Sequence, residues 1–296
     1  MKVLHLLSTN KYSGAENVVC QIIKLFGNDD MVYCSPNGPI KETLSMMNIK
    51  YLPINELSFK NVKKAIEEFK PDVIHAHDLR ASAIASRFKK IKKISQIHMD
   101  NPGMKKFGLR VVLANLIFKK FDKIIWVSPY CLENYYYKEK VRNKSFVIPN
   151  IISIADVEDR LKKSNVNEKF DLVYCGRLSE PKNPLRLLDI ARLLANKKKD
   201  LTFAIVGDGE FMEQMNQKTK QLNLQNNVRF FGFLQNPFGV IKNSKVAIMT
   251  SIFEGTPMIA LESLTLGVPI VSTKTDGMKN LIKEGRYESF ITFRNL

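Results

Sequence analysis

Short runs of β-branched and aliphatic residues recur along this chain, each followed by an amphipathic stretch, and this alternation restricts the fold more than any other feature. Residues 3–7, 31–34, 73–75, 94–98, 124–127 and 146–148 read as strands, and 62–69, 104–121 and 129–137 carry helical periodicity. After Pro149-Asn150 the pattern lapses into a polar stretch over 156–169. It then restarts with strands at 172–175, 202–206, 228–231, 246–249 and 270–272, separated by helices at 185–195, 211–222 and 258–266. Strand, helix, strand in repetition calls for a parallel, doubly wound sheet, because parallel neighbours need a long crossover that a helix fills. The expected architecture is α/β, with two Rossmann-like units facing a common cleft: 1–150, a linker over 151–170, and 171–296. A length of 296 residues suits two cores of about 150 residues each.

Composition agrees with an ordered chain: 45% of residues are hydrophobic and 25% charged. The first apolar run is too short for a secretory leader, and no stretch reaches the roughly 18 uncharged apolar residues that span a bilayer. Cys20, Cys34, Cys131 and Cys175 are scattered with no C-x-x-C pair, so buried reduced thiols and a cytoplasmic compartment are expected. Forty-six Lys and Arg against 29 Asp and Glu leave a net charge of +17, which favours phosphate-bearing partners. The sequence lacks the interleaving of basic and aromatic residues that single-stranded nucleic acid requires, so nucleic acid is not the expected partner.

Ligands of open parallel sheets bind beyond the carboxyl ends of the strands, so the strand-to-loop junctions hold the candidate chemistry. The first is the segment from Ser251 to Ser263, a loop that feeds a helix. Thr256 suits the N-cap and Pro257 the first helical position, which would turn the amides of Gly255, Met258 and Ile259 toward an anion. Glu254 and Glu262 lie in an otherwise apolar segment, where burying a carboxylate is costly without a partner; the plain alternative is a loop carboxylate and a solvated helix face. A second junction runs from Cys175 to Pro184, where Arg177 and Lys182 flank a Pro-containing turn and could neutralise a diphosphate, or pair with Glu180 at the surface. In the first half, Ser13-Gly14-Ala15-Glu16 opens a helix, and Gly14 would let backbone approach a phosphate. His98 ends a strand at the cleft edge; it could equally be a satisfied core histidine. His75 and His77 lack an accompanying Cys or Glu ligand pattern, and no metal site is assigned to them.

Gly176-Arg177 with Lys182, then Gly207-Asp208-Gly209, Gly232-Phe233, and Glu254 with Glu262 in E-x7-E spacing occur in that order. Together they resemble the donor half of the retaining family-4 glycosyltransferases of the GT-B fold, the "glycosyl transferases group 1" type. The resemblance implies that Arg177 and Lys182 bind the donor pyrophosphate, that Glu254 contacts the transferred sugar and Glu262 the ribose, and that His98 stands beside the reacting sugar. Gly14, Gly255, Thr256, Met258 and Ile259 complete the expected donor contacts. Departures from the family pattern are Ser13, where many relatives have Gly, and Asn280, where relatives often have Glu. Relatives also continue through further helices beyond the position of Leu296, so a second unit shortened at its carboxyl end is expected.

The activity implied is hexosyl transfer from a UDP- or GDP-sugar to a glycan or lipid-linked acceptor with retention, in bacterial-type surface polysaccharide synthesis. A nucleotide-sugar-binding protein without transferase activity and a sugar-nucleotide epimerase of the same fold are the alternatives. The sequence contains no D-x-D, and neither metal nor cofactor is expected, since Arg177, Lys182 and helix amides can meet the charge on the leaving diphosphate. Residues 104–121 mix apolar positions with Lys105, Lys106, Arg110, Lys119 and Lys120; this reads either as a peripheral docking face for an anionic membrane or as a buried helix with a solvated basic side.

Overall fold

A computed structural model describes residues 1–26, 30–98, 102–279, 281 and 289–291. The chain divides into two compact units, Met1–Ile151 and Ile152–Leu296. The first holds a seven-stranded parallel sheet of β1 (Val3–Leu6), β2 (Met31–Pro36), β3 (Tyr51–Ile54), β4 (Val73–His77), β5 (Lys92–Ile97), β6 (Lys123–Trp126) and β7 (Ser145–Val147), in the order β3-β2-β1-β4-β5-β6-β7. Every residue of β1 and β4 is buried, as expected of central strands covered on both faces. The strand β3 escapes sequence reading because Pro53 interrupts it, and it occupies the sheet edge, where a missing N–H is tolerated. The start of β5 is masked in sequence by lysines. Lys93 is nevertheless buried, and its Nζ donates to the carbonyls of Phe88 and Ile91 at 2.9 Å each.

The predicted helix over 104–121 is shorter: a 3-10 turn at Pro102–Met104 precedes Gly108, and the α-helix runs Leu109–Phe118. The second unit carries β8 (Phe170–Cys175), β9 (Phe203–Val206), β10 (Val228–Gly232), β11 (Ser244–Met249), β12 (Ile270–Thr273) and β13 (Ser289–Ile291), in the order β10-β9-β8-β11-β12-β13. Residues expected to form a linker contain a helix, Ile154–Lys162, capped by Ser153 and packed through Val157 into the core of the second unit with Phe238 and Val240. Its few apolar residues made that stretch look like a connector. Asn280 and the positions following Ser289–Ile291 lie outside the described residues.

Both sheets reverse strand order once, between β1 and β4 and between β8 and β11. Crossovers leave these neighbouring strands in opposite directions, so the loops at their carboxyl ends diverge and open a crevice in each unit. At the β8 end the loop is held by backbone contact: Leu178 N–H donates to the Asp208 carbonyl at 2.9 Å and Gly176 N–H to that of Val206 at 2.9 Å. Gly207 has φ +137°, and a Cβ there would lie 1.9 Å from the Gly176 carbonyl oxygen. Gly207→Ala is expected to cost about 3 kcal/mol through left-handed strain and overpacking. Gly14, with no atom within 4 Å of an added Cβ, should accept alanine within about 0.5 kcal/mol. Urea denaturation of the two variants checks the contrast.

Candidate active site

In the second unit the β8 and β11 loops meet. Lys182 ends a 3-10 turn, Glu180–Lys182, and its Nζ donates to Glu254 Oε1 at 2.6 Å. Ser251 donates its hydroxyl to the same oxygen at 2.6 Å. Thr250 at the end of β11 ties the two loops, its hydroxyl donating to the carbonyls of Lys182 and Asn183 at 3.0 Å each. The ammonium of Lys182 therefore pairs with Glu254 across the strand reversal, not with its neighbour Glu180. Glu254 and Glu262 are 9% and 8% exposed, so the E-x7-E pair is buried and Glu262 is not on a solvated face.

The helix that follows is Met258–Thr265, with Pro257 at the N-cap in extended geometry (φ −71°, ψ 123°). This shifts the expected cap by one residue: Pro257, not Thr256, precedes the helix, because its ring fixes φ while ψ stays extended. The amides of Met258 and Ile259 head the first turn, and Gly255 and Thr256 precede it as buried backbone. Arg177 is exposed on the β8 loop, and the buried Tyr174 hydroxyl donates to its carbonyl at 2.8 Å. Burial, then the charge of Glu254, pushes the Tyr174 phenol well above its ordinary range, so it stays a donor.

In the first unit the corresponding crevice is bordered by Gly14 at the start of the helix Gly14–Phe26. Two carboxylates lie there to which the sequence analysis gave no role: Glu16, which is buried, and Asp78, which is half-buried. Glu16 accepts from the hydroxyls of Thr9, at 2.7 Å, and Ser13. Asp78 accepts from Ser8 at 2.5 Å and from the amide of Ala81 at 2.8 Å, capping the helix Leu79–Ala85 with its own backbone at φ 84°. Burial holds the Asp78 carboxyl above the usual carboxylate range. A non-glycine residue so placed is strained, and such strain concentrates at functional edges.

His98 immediately follows β5, and its position brings an unforeseen set together. All four histidines of the chain form one cluster: His5 Nδ1 lies 3.0 Å from His77 Nε2, His77 Nδ1 lies 2.9 Å from His98 Nε2, and His75 packs on His77 with ring centroids 4.2 Å apart. The register pairs His5 with His75 on neighbouring strands, and the two-residue period puts His77 on the same face. The two-residue spacing of His75 and His77, together with a histidine inside the apolar β1 run, was the sequence signal of this. Ring nitrogens of His5, His75 and His77 lie within 4.8 Å of one another and could close on a metal ion. Zinc–nitrogen bonds of about 2.0–2.1 Å put tetrahedral ligands roughly 3.3 Å apart, so the set would have to contract around one. The contacts at 3.0 and 2.9 Å are already hydrogen-bond lengths.

Residues 12–156 match the family described as Glycosyltransferase Family 4, and residues 156–295 the family described as Glycosyl transferases group 1. With both matched in succession on two parallel-sheet units, the chain belongs to the glycosyltransferases of the GT-B fold. It is 30% identical to an uncharacterised glycosyltransferase of Methanocaldococcus jannaschii over 72% of this chain, a stretch spanning 58% of that protein. It is 24% identical to the UDP-Gal:alpha-D-GlcNAc-diphosphoundecaprenol alpha-1,3-galactosyltransferase of Escherichia coli, over 98% of this chain and 84% of the relative. Among solved structures, Anabaena HepE in complex with UDP-glucose shares the fold with a TM-score of 0.84 at 22% identity, covering 99% of this chain and 85% of that one.

The histidine cluster makes the fold acid-sensitive. Desolvation lowers His75 from 6.5 to about 4 and His98 to about 3, with His5 and His77 also far below 6.5. Between pH 6.5 and about 4 the unfolded chain therefore binds the protons that the folded one refuses. Stability should fall as pH falls through this window, by up to about 1.4 kcal/mol per pH unit for each histidine. Thermal melting across the window checks it: the midpoint should hold above pH 7 and drop below 6.5, and a flat midpoint to pH 4.5 would contradict a buried neutral cluster.

Proposed function

We propose that the chain moves a hexosyl group from a nucleoside-diphosphate sugar, UDP- or GDP-linked, to a glycan on a lipid-linked acceptor during synthesis of a bacterial-type surface polysaccharide, with retention at the anomeric carbon. The observation that carries this reading is the pairing of part-exposed Lys182 with buried Glu254 at the β8/β11 reversal, beside the amino end of Met258–Thr265. Loss of a nucleoside diphosphate builds negative charge on the leaving oxygen, and a cation and helix amides held in advance stabilise it without reorganisation. Arg177 and Lys182 take the diphosphate in this reading. Glu254, already a buried acceptor, takes hydroxyls of the transferred sugar, and Glu262 takes those of the ribose. His98 is assigned to the transferred sugar, and Gly14 to close approach of backbone. Support for the substrate class comes from relatives: the E. coli protein acts on a diphosphoundecaprenol-linked sugar, a Campylobacter jejuni relative on a PP-undecaprenol glycan, and HepE is seen with UDP and UDP-glucose.

Glu254→Ala should cut turnover more than about tenfold while the melting profile stays within about 2 kcal/mol of the parent, since the orphaned Lys182 can reach water. A screen of UDP- and GDP-sugars for thermal stabilisation identifies the donor. Full turnover by the variant would defeat the site assignment. Donor conversion with no acceptor present would point to epimerisation instead, and stabilisation without turnover to a binding protein.

The acceptor side is read from the helix Leu109–Phe118. Val111, Ala114 and Phe118 are buried in the core, whereas Leu109, Leu113 and Leu116 are 77%, 49% and 51% exposed and Phe107 is 71% exposed. Lys106, Arg110, Lys119 and Lys120 lie exposed around this stripe. An apolar strip ringed by cations matches an anionic bilayer surface, into which the leucines insert while the cations meet headgroups. No helix among the described residues is long and apolar enough to cross a membrane. Flotation with anionic liposomes should retain the protein at low salt and lose it as salt rises, and Leu109→Glu with Leu113→Glu should abolish it. Absence of binding at low salt would refute docking.

A further inference from the structure

We infer that Ser251 is a positioning residue, whose hydroxyl holds Glu254 in place for the transferred sugar while the donor diphosphate engages Lys182. This role rests on the function proposed above.

A carboxylate oxygen has two lone pairs, and both of those on Glu254 Oε1 are taken, by Lys182 Nζ and by the Ser251 hydroxyl at 2.6 Å each. Oε2 accepts from no described residue and is not sealed from solvent, so the acceptor capacity left to this carboxylate lies there. The two donors differ in their openness to competition. The Lys182 side chain is 29% exposed and carries three N–H groups on a flexible stem, and a diphosphate outweighs a single carboxylate in charge. Ser251 is 2% exposed, and its one hydroxyl proton is spent on Glu254. A diphosphate that draws on Lys182 therefore loosens one hold on Oε1 and leaves the other.

The backbone that carries Ser251 and Glu254 is pinned by bonds in which the Lys182 ammonium has no part. Thr273 at the end of β12 donates its hydroxyl to the Ser251 carbonyl at 2.6 Å, the Ile252 amide donates to the Pro181 carbonyl at 2.8 Å, and the Gly277 amide donates to the Glu254 carbonyl at 3.2 Å. A shift of the ammonium thus leaves the loop where it is, with Oε1 still held by Ser251 and Oε2 free to accept a sugar hydroxyl. Without the serine hydroxyl, Lys182 becomes the sole donor to Oε1. The carboxylate then either follows the ammonium toward the diphosphate or stands buried with nothing paired to it, which is costly. The loss falls on the sugar, because the diphosphate keeps both Arg177 and Lys182.

Isothermal titration of the full chain with UDP, UDP-glucose and UDP-galactose, and with GDP and GDP-mannose, tests this role. In Ser251→Ala the affinity for whichever nucleoside diphosphate binds the parent should stay within about twofold, while that for its hexosyl derivative should fall about tenfold, as for the loss of one charge-assisted hydrogen bond. Ser251→Thr, which keeps the hydroxyl, should restore the parent ratio of the two affinities, and Lys182→Ala should weaken both ligands together. A part in loop structure alone would move both ligands alike. An unchanged ratio in Ser251→Ala, whether both affinities hold or both fall, therefore overturns the inference. If Ser251→Ala does not fold, Ser251→Cys, close in volume and a weaker donor, is read by the same ratio and should shift it in the same direction. A parent that binds none of these probes defeats the proposed function and the role of Ser251 with it, whereas a parent that binds them with the ratio unmoved in the variant defeats the role of Ser251 alone.

Discussion

A parallel sheet delivers the carboxyl ends of all its strands to one edge, and the single place where successive crossovers leave on opposite faces is where that edge opens. In each unit this happens once, beside the first strand of the unit. Everything chemical described above collects there. Lys182 and Glu254 stand on the two strands that flank the reversal of the second sheet, and Asp78 and the loop leading to Gly14 stand on the two that flank the reversal of the first. The side chains differ between the units, but topology selects their positions.

Charge placed at such an edge has to be kept there against the cost of desolvation. The second unit does this by pairing: one oxygen of Glu254 accepts from both Lys182 and Ser251. In the first unit hydroxyls do the work, from Thr9 and Ser13 to Glu16 and from Ser8 to Asp78. The histidines take a third route, since burial keeps them neutral and they satisfy one another. A pair can be reopened by a ligand carrying the right charge, whereas a neutral network keeps its geometry across the physiological pH range. The reopenable kind is found in the second unit, at Lys182 and Glu254.

Alternating apolar runs made nearly all strands legible in the sequence, because a central parallel strand is apolar on both faces and has little room for other residues. The order of Arg177, Lys182, Glu254 and Glu262 also singled out the two loops that the Lys182–Glu254 pair joins at the β8/β11 reversal. What stayed hidden was hidden for local reasons. Pro53 disguised an edge strand, lysines disguised the start of β5, and the polar composition of 154–162 disguised a helix that buries little beyond Val157. Tyr174 and Ser251 could not be foreseen because their bonds to Arg177 and Glu254 depend on how each loop turns, and Gly277 because it matters only through neighbours distant in sequence. An added Cβ at Gly277, for instance, would lie 1.8 Å from the Gly255 carbonyl oxygen. The histidine cluster was legible as four residues but not as one object, because register between β1 and β4 is what assembles it.

The ion pair between Lys182 and Glu254 joins residues 72 positions apart, with two other strands threaded between them in sequence. Its loops acquire their conformation only once β8 and β11 have found each other, a non-local pairing that pays loop-closure entropy before any local contact rewards it. The pair therefore forms no earlier than that strand pairing. No excised peptide carrying either loop would reproduce it, and a nascent chain leaving the ribosome gains it only when β11 has emerged.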